Sequence, residues 1–590
     1  MLNALYDYAM RHELTLPEGY ARKTVAAYIS FSTEAQDYVG IQLGDDREIP
    51  CPDIGSLANS KEKSNIIVEK RSVVVPDEGN AKSCFFLDAL VQFGQFDSDA
   101  ALCAERLADE KTVSIIRKML DEHKIKPANR ISFMVDGRKL HNSPRLLEWW
   151  KNWRQEILPQ KKGDLAPCLI TGELTTPVAT APSVKGLRVV GGHASGDALV
   201  CFDKPAFCSY GLKQAANAPV SESAMGAVKA ALDHLIADAP ILCGMKFVHW
   251  YDRDIEKTDD PFYDDNLFGI EYDDEEMEED DPAEKELPAR KNADRVIESV
   301  RSGATAPSLD AVYHILLLSG VGGRVMVRRY ELGQYEKLRR NLDKWNEDLA
   351  LVHPYGLDGN CKPMKLTGRL IRLLKYQKND RKIFERLGKE LSGITPAVLT
   401  AIMGGGELPD AVAVRALAYI RSGMLESDEK KKDENLDGWA CQWLKVWLLR
   451  NYERSERHLK EIYNPDHPEP AYHCGAAMAV YGEIQGMAMP NVNVSMVQRY
   501  YASCIQTPAL VLGRLSHMSI HHLAKIDNKF YQKLYRELLE QVHSAIGTVI
   551  PATLNLEKQS YFALGYYQMY AKMRRDRIEA ANKKNAQEEA

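Results

Sequence analysis

Residues 495–542 read SMVQRYYASCIQTPALVLGRLSHMSIHHLAKIDNKFYQKLYRELLEQV, and this stretch decides the architecture of the carboxy-terminal end. Ser495 and Gln498 have capping-box spacing, in which the serine oxygen and the glutamine amide satisfy the first unpaired backbone amides of a helix. Thr507-Pro508 sets a cap ahead of a proline in the first helical turn. Phe530, Leu534, Leu538 and Val542 recur every four residues and mark one apolar face. Pro551 separates that helix from a last one, expected over residues 556–580, and the final run KMRRDRIEAANKKNAQEEA is expected to fray. These signals predict an α-helical bundle of about 110 residues, placed in a domain over 471–590.

Upstream, residues 301–470 read as a mainly helical middle region, interrupted where YHILLLSG precedes a short β-like run, GRVMVRRYELG. Residues 1–258 alternate between strand and helix. TVAAYISFS, YVGIQL and IIVEKRSVVV are β-rich, residues 99–123 are helical in character, and ISFMVDGRKLH reads as a hairpin turning on Asp136-Gly137. An aromatic helix, LLEWWKNWRQEI, follows. A second strand-and-turn block (CLITGELT, GLRVVGGH, DALVCFDKPAF) then leads to the helix SESAMGAVKAALDHLI, with Ser221 as its N-cap. The fold class is multidomain α+β: a mixed strand/helix amino-terminal half, then a predominantly α-helical region ending in a helical bundle.

A chain of 590 residues exceeds one ordinary core and implies two to four domains. No window is apolar for the length of a membrane span, and MLNALYDYAMRHEL has acids where a signal peptide needs an unbroken apolar run, so no membrane and a cytoplasmic location are expected. Acid is concentrated in one place. Residues 259–286 hold fifteen Asp/Glu and one Lys, a local charge of −14, so a chain of net charge −7 carries +7 outside that tract. The tract is expected to be an exposed loop or linker, with a domain boundary across 259–300. A basic body suits a polyanionic partner, and it equally suits an ordinary solvated surface. The eleven cysteines include no CxxC pair, and buried reduced thiols are expected, Cys201 and Cys208 included.

The motifs of common enzymes are missing. GVGGRV lacks the lysine of a phosphate-binding loop, IMGGGELP lacks its strand–loop–helix setting, and HExxH, GxSxG and GxGxxG do not occur. His521-His522 points two ways from a helix, so one packed and one exposed histidine is expected rather than a metal site. No catalytic residue, metal or cofactor is expected. What remains is polar and basic. Lys61, Lys63 and Asn65 lie in one loop, Lys70, Arg71 and Ser72 in the strand after it, and Asn80 and Lys82 in the next turn; these are side chains that contact phosphates and base edges. A second set, Arg369, Arg372, Lys375, Lys378, Arg381 and Lys382, has helical spacing over its first members and predicts one basic face able to follow a phosphate backbone. A solvated helix face explains that second set as well.

Longer strings resemble one family. CLITGELT, SVKGLRVVGG and DALVCFDKPAFCSYGLKQAANAPVS are similar to the central signature of the large subunit of type I-C CRISPR Cascade complexes. Cys168, Gly172, Lys185, Gly186, Phe202, Ala206, Phe207, Ser209, Tyr210, Gly211, Gln214, Asn217, Ala218, Pro219, Val220 and Ser221 occupy its matched positions. MLNALYDYA, RSVVVPDEGNAKSCFFLDALVQFG, SGVGGRVMVRRYELG and AYHCGAAMAVYGEIQGMAMPNVNVSMVQRYYASCIQTPALVL extend the resemblance nearly end to end. VATAP and the VGG before Arg324 depart from it.

The resemblance implies a nucleic-acid-binding scaffold rather than an enzyme. Guide-RNA pairing would read the target, while this chain reads a short flanking motif (the PAM) in double-stranded DNA and supports R-loop formation. It places PAM contact in the amino-terminal region, hence at Lys61, Lys63, Asn65, Lys70, Arg71, Ser72, Asn80 and Lys82. The displaced strand would lie along Arg369 to Lys382 and along Arg499, Arg514, Lys525 and Lys529 of the bundle. Phe207 and Tyr210 are expected as packing anchors, and Gly211 and Pro219 as turn residues. Implied partners are the guide-RNA-bearing Cascade backbone and 5′-handle-binding subunits, small-subunit copies from an internal start near Met478 or Met487, and a trans-acting helicase–nuclease. The alternative is a structural protein-interaction scaffold that reads no PAM.

Overall fold

The computed structural model describes the chain except residues 36–37, 46, 158–164, 179, 203, 209, 213, 263–309, 357–359, 362–363, 378–379, 426–436, 491, 493 and 589–590. It divides into two units. One comprises Met1–Val184 and Ala198–His234, the other Lys185–Asp197 and Leu235–Ala590.

In the first unit, the run AYISF (β2, Ala27–Phe31) is buried on both faces and therefore sits centrally in a sheet. It pairs antiparallel with β3 (Val39–Leu43) and parallel with β6 (Arg130–Val135), which in turn pairs with β5 (Glu69–Lys70) and β7 (Arg138–Lys139). β1 (Tyr20–Thr24) pairs with β4 (Glu48–Pro52), and β8 (Ala166–Pro167) with β9 (Leu174–Thr175). The β6–β7 turn forms on Asp136 (φ 45°) and Gly137 (φ 79°), both left-handed as such a two-residue hairpin requires. Phe86 and Phe93 of the helix Ala81–Gly94 and Trp149, Trp150 and Trp153 of the helix Leu146–Ile157 fill the core beneath the sheet. Two expectations change here. IIVEKRSVVV is a strand only at β5, after which Arg71–Val74 turns helical. The helical stretch at 99–123 is two helices, Ser98–Ala108 and Glu110–Glu122, because Asp109 accepts from the Thr112 amide and caps the second.

In the second unit, β10 (Ile241–Leu242), β11 (Met245–Tyr251), β12 (Val312–Val321) and β13 (Arg324–Gln334) form an antiparallel sheet in that order. YHILLLSG is therefore the body of a long strand buried on both faces, not a prelude to a short one. Tyr251 pairs with Tyr313. The acidic tract thus lies between two adjacent strands of one sheet, and the boundary expected at 259–300 does not divide the units. The tract beyond Phe262 lies outside the described residues.

The sheet and the helices share one core, reaching from Leu242 to Met573. No break in it occurs at residue 470, where the bundle was expected to begin as a separate domain. At its centre the helix Pro470–Ala488 packs on the helix Leu556–Glu588, and each supplies a glycine to the crossing: Gly475 lies on the Phe562 carbonyl and Gly565 on that of Tyr472. The last helix continues to Glu588, past the end expected at residue 580. The capping box forms as the spacing requires, with Gln498 N donating to Ser495 Oγ (3.1 Å) and Ser495 N to Gln498 Oε1 (3.0 Å). In the helix Lys529–Ile546 the buried line is Tyr535, Val542 and Ile546, while Phe530 stands 66 % exposed. The apolar face expected from the four-residue repeat is one position off at its start.

Among the described residues, no helix is long and apolar enough to cross a membrane. Eight cysteines are buried, but Cys84, Cys201 and Cys208 are exposed, against the burial expected of the last two.

Candidate nucleic-acid interface

The loop between β4 and the helix Ala81–Gly94 is cross-braced by the polar residues its sequence singled out. Asn65 Oδ1 accepts from the Ile54 amide (3.0 Å), Lys63 Nζ donates to the Ile157 carbonyl (3.3 Å) and Lys82 Nζ to the Ala58 carbonyl (2.8 Å). Asn80 caps the following helix, its Oδ1 accepting from the amide (3.0 Å) and hydroxyl (3.1 Å) of Ser83. Arg71 is buried, bonded to the Ile125 carbonyl and paired with Asp121 at 2.7 Å. Arg71 is thus a strut of this fold and is corrected from the exposed strand position expected for it. Lys61, Lys70 and Ser72 remain exposed. The region is a cross-braced frame from which Lys61, Lys70 and Ser72 face outward, alongside the exposed acids Glu62, Asp77 and Glu78.

The second basic set does not form one face. The helix that carries its start, Leu366–Ile371, is six residues long, and Arg369 points inward, where it binds the Met364 carbonyl (2.8 Å) and Gln442. Burial brings its guanidinium down to about 10. Arg372 pairs with Asp437 at 3.0 Å and lies 4.7 Å over the Trp439 ring. Lys375, Arg381 and Lys382 are exposed on non-helical turns, and Lys378 lies outside the described residues. The expected phosphate-tracking face from Arg369 to Lys375 is thus replaced by two structural arginines.

The bundle behaves differently. Arg499, Arg514, Lys525 and Lys529 are all exposed, with Arg514 5.6 Å over the Tyr500 ring. The helix Pro508–Ala524 contains no acid at all. His517 and His521 stand one turn apart on it, both exposed, with ring centroids at 5.4 Å. With Arg514 and Lys525 they make a stripe at 514, 517, 521 and 525, the i, i+3, i+4 spacing of one helix face. Sequence reasoning names Arg514 and Lys525 and misses the histidines between them, which that spacing alone would reveal. His522 is buried, so the expected division of the histidine pair into one packed and one exposed holds.

The signature block is tied at its two ends. Ser221 N donates to Cys168 Sγ (3.4 Å), Leu169 N to the Pro219 carbonyl (2.9 Å) and Val178 N to the Val220 carbonyl (3.0 Å). Burial opposes ionisation of Cys168, yet bonds from Thr171 and the Ser221 amide bring its thiol down to about 6. Between the ends, Phe207 is 41 % and Tyr210 fully exposed, so neither is the packing anchor expected. Gly211 (φ 76°) is the turn residue anticipated, beside a left-handed Tyr210 (φ 54°).

Residues 4–573 match the family model described as CRISPR-associated protein (Cas_Csd1). The chain belongs to the CRISPR-associated Csd1 family. That match spans the signature block and both flanks on which the type I-C large-subunit resemblance rests. No curated protein matches this Csd1-family chain. Among its described residues no group of three or more His, Cys, Asp or Glu is arranged to hold a metal ion.

Proposed function

We propose that this Csd1-family chain is the non-catalytic large subunit of a type I-C Cascade effector, with two separate nucleic-acid contacts. Lys61, Lys70 and Ser72, presented by the braced loop frame, touch the PAM duplex. The stripe Arg514, His517, His521 and Lys525, with Arg499 and Lys529, follows the phosphates of the displaced strand. The observation that carries the reading is the acid-free helix Pro508–Ala524 in a chain of net charge −7: its outward face carries Arg514, His517 and His521 and no carboxylate, beside exposed Leu510 and Ile520. The guide-RNA-bearing backbone, the 5′-handle-binding subunit, internally initiated small subunits and a recruited helicase–nuclease are the partners this role requires. It needs no cofactor, and it places the chain in the cytoplasm.

The test is the salt dependence of single-strand binding. Alanine at Lys525 and Lys529 is expected to flatten the log–log slope by about 0.7 for each phosphate left unneutralised. An unchanged slope removes the stripe from the DNA path.

A second reading, a protein-docking scaffold that reads no PAM, is favoured by exposed Phe207, Tyr210 and Leu212 on the signature loop. In that case Tyr210→Ala weakens assembly with the other subunits and leaves PAM preference in the assembled complex unchanged.

A further inference from the structure

Two glycine-rich turns of the second unit lie against each other, backbone to backbone. One is residues 191–196, reached from the short helical turn Arg188–Val190; the other is the tip of the β12–β13 hairpin, residues 320–323. A β-carbon on Gly320 would overlap the backbone of Gly192, and one on Gly191 would press on the Gly320 carbonyl. A β-carbon built on Gly323 would lie 3.7 Å from the His193 ring. Gly191 (φ 91°), Gly196 (φ 106°), Gly322 (φ 57°) and Gly323 (φ 79°) all occupy left-handed backbone, so both turns are made of residues that only glycine suits. The approach requires bare backbone on both sides.

The pairing gathers charge from distant parts of the chain. Lys185, Arg188 and His193 are exposed on the first segment, and Arg324 on the second, immediately after the tip. The carboxylate of these segments, Asp197, is fully buried, where both its oxygens accept from the His193 amide at 3.1–3.2 Å. It is used up in holding the turn and presents no charge outward. Among the described residues nothing accepts from the amides of Gly322 or Gly323. Bare glycine backbone at the hairpin tip, with cations on both turns, lets a phosphate approach the main chain closely, which bulky side chains there would prevent.

We infer that this double-glycine platform is a third nucleic-acid contact, a sugar–phosphate-binding site in which the amides of Gly322 and Gly323 act with His193, Arg188 and Arg324 on the two facing turns. It rests on the reading of the chain as a nucleic-acid-binding subunit and adds a site to it. Backbone amides and cations select the phosphate chain, not base identity, so binding here is independent of sequence.

The experiment uses the purified full-length chain carrying Arg188→Glu with Arg324→Glu, and fluorescein-labelled single-stranded oligonucleotides of two unrelated sequences, titrated by anisotropy at several salt concentrations. Both sequences are expected to lose affinity about tenfold, and the log–log salt slope to fall by about 1.4, the value for two phosphates left unneutralised. Wild-type affinity and slope in a variant with the wild-type melting temperature would overturn the inference and leave the bundle stripe standing. If the wild-type chain binds neither oligonucleotide, the nucleic-acid reading and this site fail together. Loss of assembly with the other subunits at unchanged oligonucleotide affinity would also overturn it, assigning the platform to a protein interface. Should the double variant melt early, Arg188→Gln alone, on a residue whose side chain is exposed, repeats the measurement; an unaltered slope there rejects the site.

Discussion

Gly475 and Phe562 meet where the helices Pro470–Ala488 and Leu556–Glu588 cross, so closely that a β-carbon on the glycine would overlap the phenylalanine carbonyl. Gly565 repeats the relationship against Tyr472. Gly475→Val is therefore expected to force the helices apart and cost at least about 1–3 kcal/mol, the range of overpacked cores. Chemical denaturation of the full chain checks it, and a midpoint equal to wild type refutes the role of the crossing.

The same crossing bears on any internally started product. A polypeptide opening at Met478 lacks Tyr472 and Gly475, and one opening at Met487 lacks nearly the whole central helix, thirteen of whose residues are buried. A fragment beginning at Glu469 is expected to melt cooperatively and at higher temperature than one beginning at Met478. Calorimetry of the two decides it. Equal melting would mean the bundle holds without its tightest crossing.

Asp348 is wholly buried between Arg450 (3.1 Å) and Arg457 (2.7 Å). Removing the acid leaves a buried guanidinium without its counter-charge, so Asp348→Ala is expected to destabilise by about 3–5 kcal/mol. Asp348→Asn, which keeps an oxygen acceptor, should cost less. The reverse ranking in urea denaturation would show that charge is not what this site needs.

Acid should weaken the fold through histidines held neutral. Burial, with Lys139 adding to it, pushes the His141 imidazole down to about 4, and burial lowers His473 and His543 as well. The unfolded chain protonates these rings first, near pH 6.5, so it binds more protons than the native state below that value. Stability is thus complete above about pH 6.5 and falls as the pH drops toward about 4. His141→Gln is expected to flatten that dependence in urea denaturation between about pH 7 and pH 5; a slope as steep as wild type excludes His141 as its source.

Asn80 and Lys70 separate support from recognition. Asn80→Ala removes a helix cap and should cost about 1 kcal/mol without changing discrimination between flanking motifs. Lys70→Ala should leave the melting temperature alone and weaken PAM-duplex binding more than binding of pre-unwound target. Equal loss on both substrates would take Lys70 out of the PAM interface.

Local signals were legible in the sequence because their physics is local. Asp136-Gly137 and Ser495 with Gln498 formed as their spacing demanded. Burial is another matter. Arg369 reads as a member of a basic face, but its partner Gln442 lies 73 residues away, and nothing nearby in the chain announces it. Arg71 is claimed by Asp121 in the same way, and Asn80, Asn65 and Lys82 are absorbed into bracing bonds. Polar residues in a loop look alike whether they serve the frame or a ligand. Phe207 and Tyr210 mislead in the opposite sense, since an aromatic in a motif suggests a core and these face solvent. Exposure of Arg514 was legible because its helix, Pro508–Ala524, holds no acid to pair with it, whereas Arg499 and Lys529 stand on neighbouring helices and Lys525 at the helix end.

The Tyr251–Tyr313 pairing fixes the two ends of the intervening segment about one strand spacing apart, roughly 5 Å. Closing a longer or shorter excursion between anchors so near each other changes the free energy only logarithmically with its length. That position is accordingly a natural port for engineering: a fluorescent reporter whose own termini lie side by side can be spliced in beyond Asp260, which accepts from the Tyr251 hydroxyl, and Phe262, which packs in the core, at little cost to the sheet.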